Sequence, residues 1–269
     1  MNRLRALGVA AITILGLAPS AEGVFAQQMT TVTPEVRQAL APSGSLRVGV
    51  YADSPFSMVR DPVSGEMKGI AVELGKALAM RLDVPYEQIE FRRPAEIYEA
   101  MKVGHIDMTI ANATPARADE FAWSSPLMLI ELGFLVRSGS PVATPVDVDQ
   151  PGVRVGVTQG GTMNGALARE LENAVLVPAA TLKIGIEMLS EHKVDVYATN
   201  KANLFEMSDA LPGSRVLEGR WGVEHLAVAI PKGRDVGFAY VRAFAENAKT
   251  EGLIAHAAAR VALRGVATE

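Results

Sequence analysis

Ile106-Asp-Met-Thr-Ile-Ala-Asn112 and Val194-Asp-Val-Tyr-Ala-Thr-Asn200 are two renderings of one pattern. Each sets an Asp at the start of a short apolar run and an Asn five residues later. Each follows a segment with the apolar spacing of an amphipathic helix, residues 95–103 and 182–192. Further upstream each has a second matching strand, Leu46-Arg-Val-Gly-Val50 and Val153-Arg-Val-Gly-Val157. Strand, helix and strand in one order, twice, predict two similar α/β units. Two such units can enclose a cleft, because ligands of open α/β sheets bind beyond the carboxyl ends of the strands. The chain therefore reads as a two-lobed binder of small molecules.

The remaining elements extend this frame. Thr33-Pro34-Glu35 opens a short helix to about residue 40, with a hydroxyl for the cap and Pro at the first helical position. Asp61-Pro-Val-Ser-Gly65 is turn chemistry between two extended segments. Apolar residues at 70, 74, 77, 78 and 82 predict a core-facing helix. Strands are expected at 46–51, 87–91, 106–111 and 132–136, then at 153–157, 175–177 and 194–198. Ser138-Gly-Ser-Pro141 marks a crossing into the second unit, and an apolar strand at 225–230 leads back to the first. Helices at 236–248 and 253–263 complete the chain. The expected fold class is α/β, with two lobes, each a mostly parallel sheet flanked by helices, joined by a two-strand hinge. Lobe I takes residues 27–137 plus 225–269 and lobe II residues 138–224.

Residues 1–26 read as a signal peptide, with Arg3 and Arg5, an apolar run over 7–18, and Val24-Phe25-Ala26 before the cleavage point. The run is shorter than the ~20 residues of a membrane-spanning helix. A periplasmic protein is expected, and with no cysteine among its 269 residues its stability rests on burial rather than disulfides. The net charge is −4 and no basic cluster stands out, so nucleic acid is not an expected partner. The four histidines, at 105, 192, 225 and 256, are scattered, with no metal-ligand spacing. Without a cysteine or a Gly-x-Ser-x-Gly elbow, no catalytic nucleophile is indicated. The expectation is no catalytic residue, no metal and no cofactor. Asp107 and Asp195 lie at the far ends of their strands from the cleft and read as strand-start or helix-packing residues.

Two segments suggest binding chemistry. In Asn112-Ala-Thr-Pro-Ala-Arg117 a strand end gives way to a helix start, which places Arg117 in the first turn. Its guanidinium can pair bidentately with a carboxylate, or it can be a solvated residue paired with Asp119 or Glu120. In Thr158-Gln-Gly-Gly-Thr162, glycines at a strand-to-helix switch let backbone amides approach an anion, and Thr162 can cap the helix and donate its hydroxyl. The alternative is a plain glycine-rich turn.

In their order and spacing these motifs resemble the bacterial extracellular solute-binding proteins of family 3, the periplasmic receptors of polar amino acid ABC transporters. The resemblance is carried by Leu46-Arg-Val-Gly-Val50 with Ser-Pro-Phe56, Gly69-Ile-Ala-Val-Glu-Leu74, Gly104-His-Ile-Asp107, Thr114-Pro-Ala-Arg117, Phe121-Ala-Trp-Ser-Ser-Pro126 and Val155-Gly-Val-Thr-Gln-Gly160 with Thr162. It implies closure of two lobes over one small carboxylate ligand, delivery to ABC permease subunits, and a monomer. It also implies that Arg117 holds the ligand carboxylate with help from Thr162 and the Gly161 amide. Asn112 and Thr114 would line the first lobe, while Ser54 and Phe56 lie in the covering loop.

The chain departs from the pattern at three points. Asn200 stands where amino acid receptors commonly place the Asp that meets the ligand ammonium. Either Asp53 or Glu224 then supplies the charge, or the ligand lacks an ammonium. The segment before Arg117 is about two residues short. No stacking aromatic is evident in the first lobe, where Arg92, Arg93 and Pro94 stand, and those arginines either read a second carboxylate or form a solvated strand end. Two other functions fit the resemblance: a dehydratase-like enzyme using Asp53 or Glu224 as general acid, and a sensory or accessory binding subunit.

Overall fold

The computed structural model describes residues 31–267; the expected signal peptide lies outside them. The first lobe opens with helix α1 (Pro34–Leu40), where the Thr33 hydroxyl accepts the Val36 N–H at 3.3 Å. Strand β1 (Leu46–Tyr51) follows, then the small hairpin of β2 (Val59–Arg60) and β3 (Met67–Lys68). Helix α2 (Ile70–Leu82) buries its apolar stripe, and β4 (Tyr86–Phe91) pairs in parallel with β1 from Leu46–Tyr86 to Tyr51–Phe91. Helix α3 (Pro94–Lys102) leads to β5 (Thr109–Asn112), the four-residue helix α4 (Pro115–Ala118), and β6 (Phe121–Trp123).

Strand β7 (Met128–Val136) carries the chain across. The second lobe comprises β8 (Arg154–Thr158), α5 (Thr162–Glu170), β9 (Val175–Ala179), α6 (Leu182–Ser190), β10 (Val196–Asn200), α7 (Lys201–Ala210) and β11 (Arg215–Val216). Here β8 lies between β9 and β10, parallel to both, while β7 runs antiparallel to β10. Strand β12 (Gly222–Pro231) returns, and helices α8 (Asp235–Thr250) and α9 (Leu253–Arg260) pack on the first lobe.

The two lobes share one curled sheet because β7 and β12 belong to both. The first half of β12 pairs with the first half of β7, Gly222 with Leu132 through Leu226 with Met128, and its second half pairs with β5 and β6. The core changes within β7: Ile130 belongs to the cluster that holds Leu46, Leu74 and Phe244, whereas Leu132, Phe134 and Val136 belong to the one that holds Val155, Val157 and Leu167. This is the α/β two-lobed architecture with a two-strand hinge that the repeat implied.

Several elements differ in extent from the sequence expectation. The repeat strand starts at Thr109 rather than 106, because the Asp107 N–H is spent on the Arg47 carbonyl at 2.8 Å and Met108 forms only a single bridge to Val48. Its twin starts at Val196, because the Asp195 N–H goes to the Arg154 carbonyl at 2.9 Å. Strand β12 begins three residues before 225, which brings Glu224 into the hinge. Helix α7 and strands β6 and β11 add to the expected elements. No helix among the described residues is long and apolar enough to cross a membrane.

Candidate functional site

Strands β1, β5, β8 and β10 end at Tyr51, Asn112, Thr158 and Asn200, and all four residues line one cavity between the lobes. The cavity measures about 60 Å³, room for a handful of waters at the roughly 10–15 Å³ that each requires. It therefore suits a small, polar guest.

Arg117 enters this cavity from α4, whose start is fixed by Pro115 in the first helical position. Its Nη1 donates to the Asn112 carbonyl at 3.1 Å and its Nη2 to the Gly160 carbonyl of the other lobe, also at 3.1 Å. Its guanidinium carbon stands 4.3 Å from the centroid of the Tyr98 ring, a cation–π contact. Among the described residues no carboxylate forms an ion pair with it; Glu120, the neighbour that was an alternative partner, is taken by Lys102 at 2.9 Å. The cation is thus held by carbonyl dipoles and a ring face, with its charge uncompensated by any acid in contact.

Opposite lies a buried polar network. Asn112 Nδ2 donates to the Thr162 hydroxyl at 3.1 Å, which joins the two lobes, and Asn112 Oδ1 accepts the His225 N–H at 2.8 Å. Asn200 caps α7 by accepting the Asn203 N–H at 3.0 Å, and its Nδ2 donates to Glu224 Oε2 at 3.0 Å. Ser54 donates to Asn203 Oδ1 at 2.9 Å. Burial raises the Glu224 carboxyl above its ordinary range, opposed by hydrogen bonds from Thr162 and Asn200 and by the charge of Arg117. Burial likewise raises the Tyr51 hydroxyl and pushes Tyr98 up to about 12.

Phe56, Asn112, Arg117, Gly161, Thr162 and Asn200 line this one cavity. Ser54 and Thr114 do not: Ser54 is fully buried behind the wall on Asn203, and Thr114 starts α4 through its backbone carbonyl, which accepts the Arg117 and Ala118 N–H groups. Thr162 does not cap α5. Gly161 is the N-cap and Thr162 the first helical residue, so its hydroxyl is free to accept from Asn112 across the lobes. The first lobe does supply aromatics, Tyr51 and Tyr98, beside Phe56. Tyr51 is signalled in sequence only as the last residue of a strand, and Tyr98 only as the neighbour of the buried Ile97 on α3. Asp53, Arg92 and Arg93 line an outer depression at the mouth, together with Lys183. There Arg93 is hydrogen-bonded to Glu96 and, across the lobes, to Gln159. Of the two acids open to replace the missing Asp, only Glu224 reaches the cavity.

The family model of bacterial extracellular solute-binding proteins, family 3, matches residues 46–261. Among curated proteins, 106 residues are 34% identical to the membrane-bound lytic murein transglycosylase F of Shewanella sp. (strain MR-4), covering 38% of this chain and 21% of that protein. The same protein of Shewanella sp. (strain W3-18-1) is 31% identical over 143 residues, 52% of this chain and 27% of its own. The chain thus spans about a quarter of the length of these relatives. Among solved structures, an ancestral amino acid-binding protein described as a precursor of cyclohexadienyl dehydratase superposes with a TM-score of 0.72 at 24% identity, over 81% of this chain and 96% of that one. A solute receptor for L-cysteine of Neisseria gonorrhoeae gives 0.75 at 22%, over 84% and 92%. An amino acid ABC transporter substrate-binding protein from Streptococcus pneumoniae, bound to L-arginine, gives 0.74 at 19%, over 86% and 99%. At these identities the likeness is one of fold.

Proposed function

We propose that this chain, which belongs to the bacterial extracellular solute-binding proteins of family 3, closes over a small carboxylate-bearing solute and delivers it to the membrane subunits of an ABC uptake transporter. The ligand on this reading is a polar amino acid or a related organic acid, the working form is a monomer in the periplasm, and residues 1–26 are a signal peptide. Residues 27–137 with 225–269 form one lobe and 138–224 the other, flexing through β7 and β12.

The observation that carries the proposal is Arg117. Its charge faces the cavity with carbonyl oxygens and the Tyr98 ring as its partners. A ligand carboxylate that takes over part of this fork forms two charge-assisted hydrogen bonds, stronger than those to neutral carbonyls. The Thr162 hydroxyl stands on the opposite wall, whereas the Gly161 N–H expected beside it is spent on the Thr158 carbonyl at 2.9 Å, so Gly161 lines the cavity without a free amide. A ligand held by groups of both lobes stabilises the closed form, which is how binding is coupled to hinge motion. A thermal-shift screen of L-amino acids against matched hydroxy-, keto- and dicarboxylic acids tests this. A ligand at 100 times its dissociation constant stabilises by about 2.7 kcal/mol; no shift with any carboxylate contradicts the proposal.

A second reading, an enzyme on this scaffold, is favoured by one observation: Glu224 is a buried carboxyl with a raised pKa in the cavity wall, a position open to a general acid. Incubation with prephenate-like substrates separates the readings, since turnover abolished by Glu224→Gln supports the enzyme.

A further inference from the structure

Glu224 is a carboxylate placed in the cavity wall without a cation of its own. It is 6% exposed. The donor that reaches it is uncharged, Asn200 Nδ2 at 3.0 Å, and the Thr162 hydroxyl lines the same cavity. The charged or titratable groups that face it from the surrounding elements are Tyr51 at the end of β1, Tyr98 on α3 and Arg117 on α4. From β7 its strand partner is Ile130, from β5 and β10 the neighbours are the amides Asn112 and Asn200, and from α5 it meets Thr162. On its own strand, His225 is exposed. Glu131, which sits beside Val223, is paired with Lys201 at 2.6 Å. Arg117 is thus the one cation among these groups, and it is engaged by the Asn112 and Gly160 carbonyls.

A buried carboxylate in this position has two ways to avoid an uncompensated charge. It can hold a proton, or it can meet a cation brought by the ligand. The residue at the cap of α7 cannot take that role: Asn200 has no charge, and its oxygen is committed to the Asn203 N–H. Arg117 and Glu224 line the same small cavity, so the site presents a fixed cation and a fixed acid to one guest. We infer that Glu224 is the residue that selects a cationic nitrogen on the ligand, and that it holds a proton until that nitrogen arrives. As the ammonium binds, the proton leaves Glu224 for solvent and the carboxylate takes the ammonium as its partner, one proton released per ligand bound. The ligand class is then a small zwitterion rather than an amine-free organic acid. Burial, which raises the Glu224 carboxyl, agrees with a proton held there before binding.

The inference rests on the proposed solute-binding role and is tested separately from it. Isothermal titration calorimetry of the exported-length chain (residues 27–269) uses L-serine, L-alanine and L-cysteine, each beside its α-hydroxy and α-keto acid, in two buffers of different ionisation enthalpy. The expected result is that the best amino acid binds at least tenfold more tightly than its amine-free partners, with proton release, and that its affinity rises with pH across the acid range. Glu224→Gln should lose at least 50-fold for the amino acid, while the weak binding of the hydroxy acid stays within about threefold and the pH dependence is lost. Should E224Q lower the melting temperature severely, the exchanged pair E224Q with N200D keeps one carboxylate and one amide in contact and should regain the preference for the amine. Equal affinity for amino and hydroxy acids, binding without proton release, or an E224Q protein that binds the amino acid like the wild type overturns the inference. Hydroxy or keto acids that bind tightly and depend on Arg117 overturn it while leaving the solute-binding proposal standing; if no carboxylate of any class binds, that proposal falls first.

Discussion

Arg154 grips Asp195 with its backbone N–H at 2.9 Å, its Nε at 3.0 Å and its Nη2 at 2.9 Å, and Arg47 grips Asp107 through the same three groups at 3.1, 2.8 and 2.9 Å. The repeated Asp is therefore a staple between the start of one strand and the lead-in of its neighbour, in each lobe, and not cleft chemistry. The two staples differ in burial. Asp107 is fully buried and takes a further bond from Arg234 at 2.9 Å, whereas Asp195 is 24% and Arg154 42% exposed.

That difference sets unequal costs for one substitution. Removing one partner of a buried pair leaves an uncompensated charge, so Asp107→Ala should destabilise by about 3–5 kcal/mol. Asp195→Ala, in a pair open to solvent, should cost about 1 kcal/mol. Urea denaturation followed by circular dichroism measures both; equal losses would contradict the assignment of burial.

Two carboxyls give opposite trends of stability with pH. The hydrogen bond from Arg154 holds the Asp195 carboxyl below its ordinary 3.8, so its contribution is present above that pH and is lost as pH falls through the lowered value. Glu224 is raised above 4.5 by burial, so its contribution is complete below about pH 4.5 and is lost as pH rises through the raised value. Melting temperatures of wild type and Glu224→Gln should therefore diverge as pH rises from 4.5, with the wild type losing ground. A constant difference across that range would exclude a raised carboxyl.

Gly160 offers a probe of closure. It has φ +76°, and a Cβ there would stand 2.7 Å from the Ala95 Cβ of the other lobe. The left-handed backbone costs Gly160→Ala roughly 1–2 kcal/mol of stability, but the clash arises only as the lobes meet. Ligand affinity should fall at least tenfold, and small-angle scattering should show less compaction with ligand than in the wild type. Unchanged affinity would mean that the lobes close elsewhere.

The lobed α/β plan was legible because it rests on chain-local patterns: alternating apolar residues, amphipathic helices and a repeated Arg-Val-Gly-Val. The reason for that repeated glycine was not. A Cβ at Gly49 would meet Ile106 Cδ1 at 2.4 Å, and one at Gly156 would meet the Tyr197 ring at 2.6 Å, so each strand is bare to admit a side chain of its own lobe's repeat, Ile106 in the lead-in to β5 and Tyr197 within β10. Gly156→Ala should accordingly destabilise by about 1–3 kcal/mol through overpacking, read as a lower urea midpoint; an unchanged midpoint would show that Tyr197 yields. In the cavity, Asn112, Arg117, Gly161, Thr162 and Asn200 could be found from strand ends and turn chemistry, and Phe56 from the family resemblance alone. Tyr98 and Asn203 could not, because which side of a helix faces a cleft depends on the packing of the lobes. Glu224 was visible as an acid, but its place in the cavity depends on where β12 begins.

The most direct test is a calorimetric titration of wild type and Arg117→Ala, side by side, with the best carboxylate ligand from the screen. Arg117 contacts the ligand on this account and, in the protein, only carbonyls and a ring. The variant should stay folded, within a few degrees of the wild-type melting temperature, and lose at least 100-fold in affinity, the scale of about 3 kcal/mol from two charge-assisted hydrogen bonds. Wild-type affinity in a folded Arg117→Ala protein would contradict the central claim.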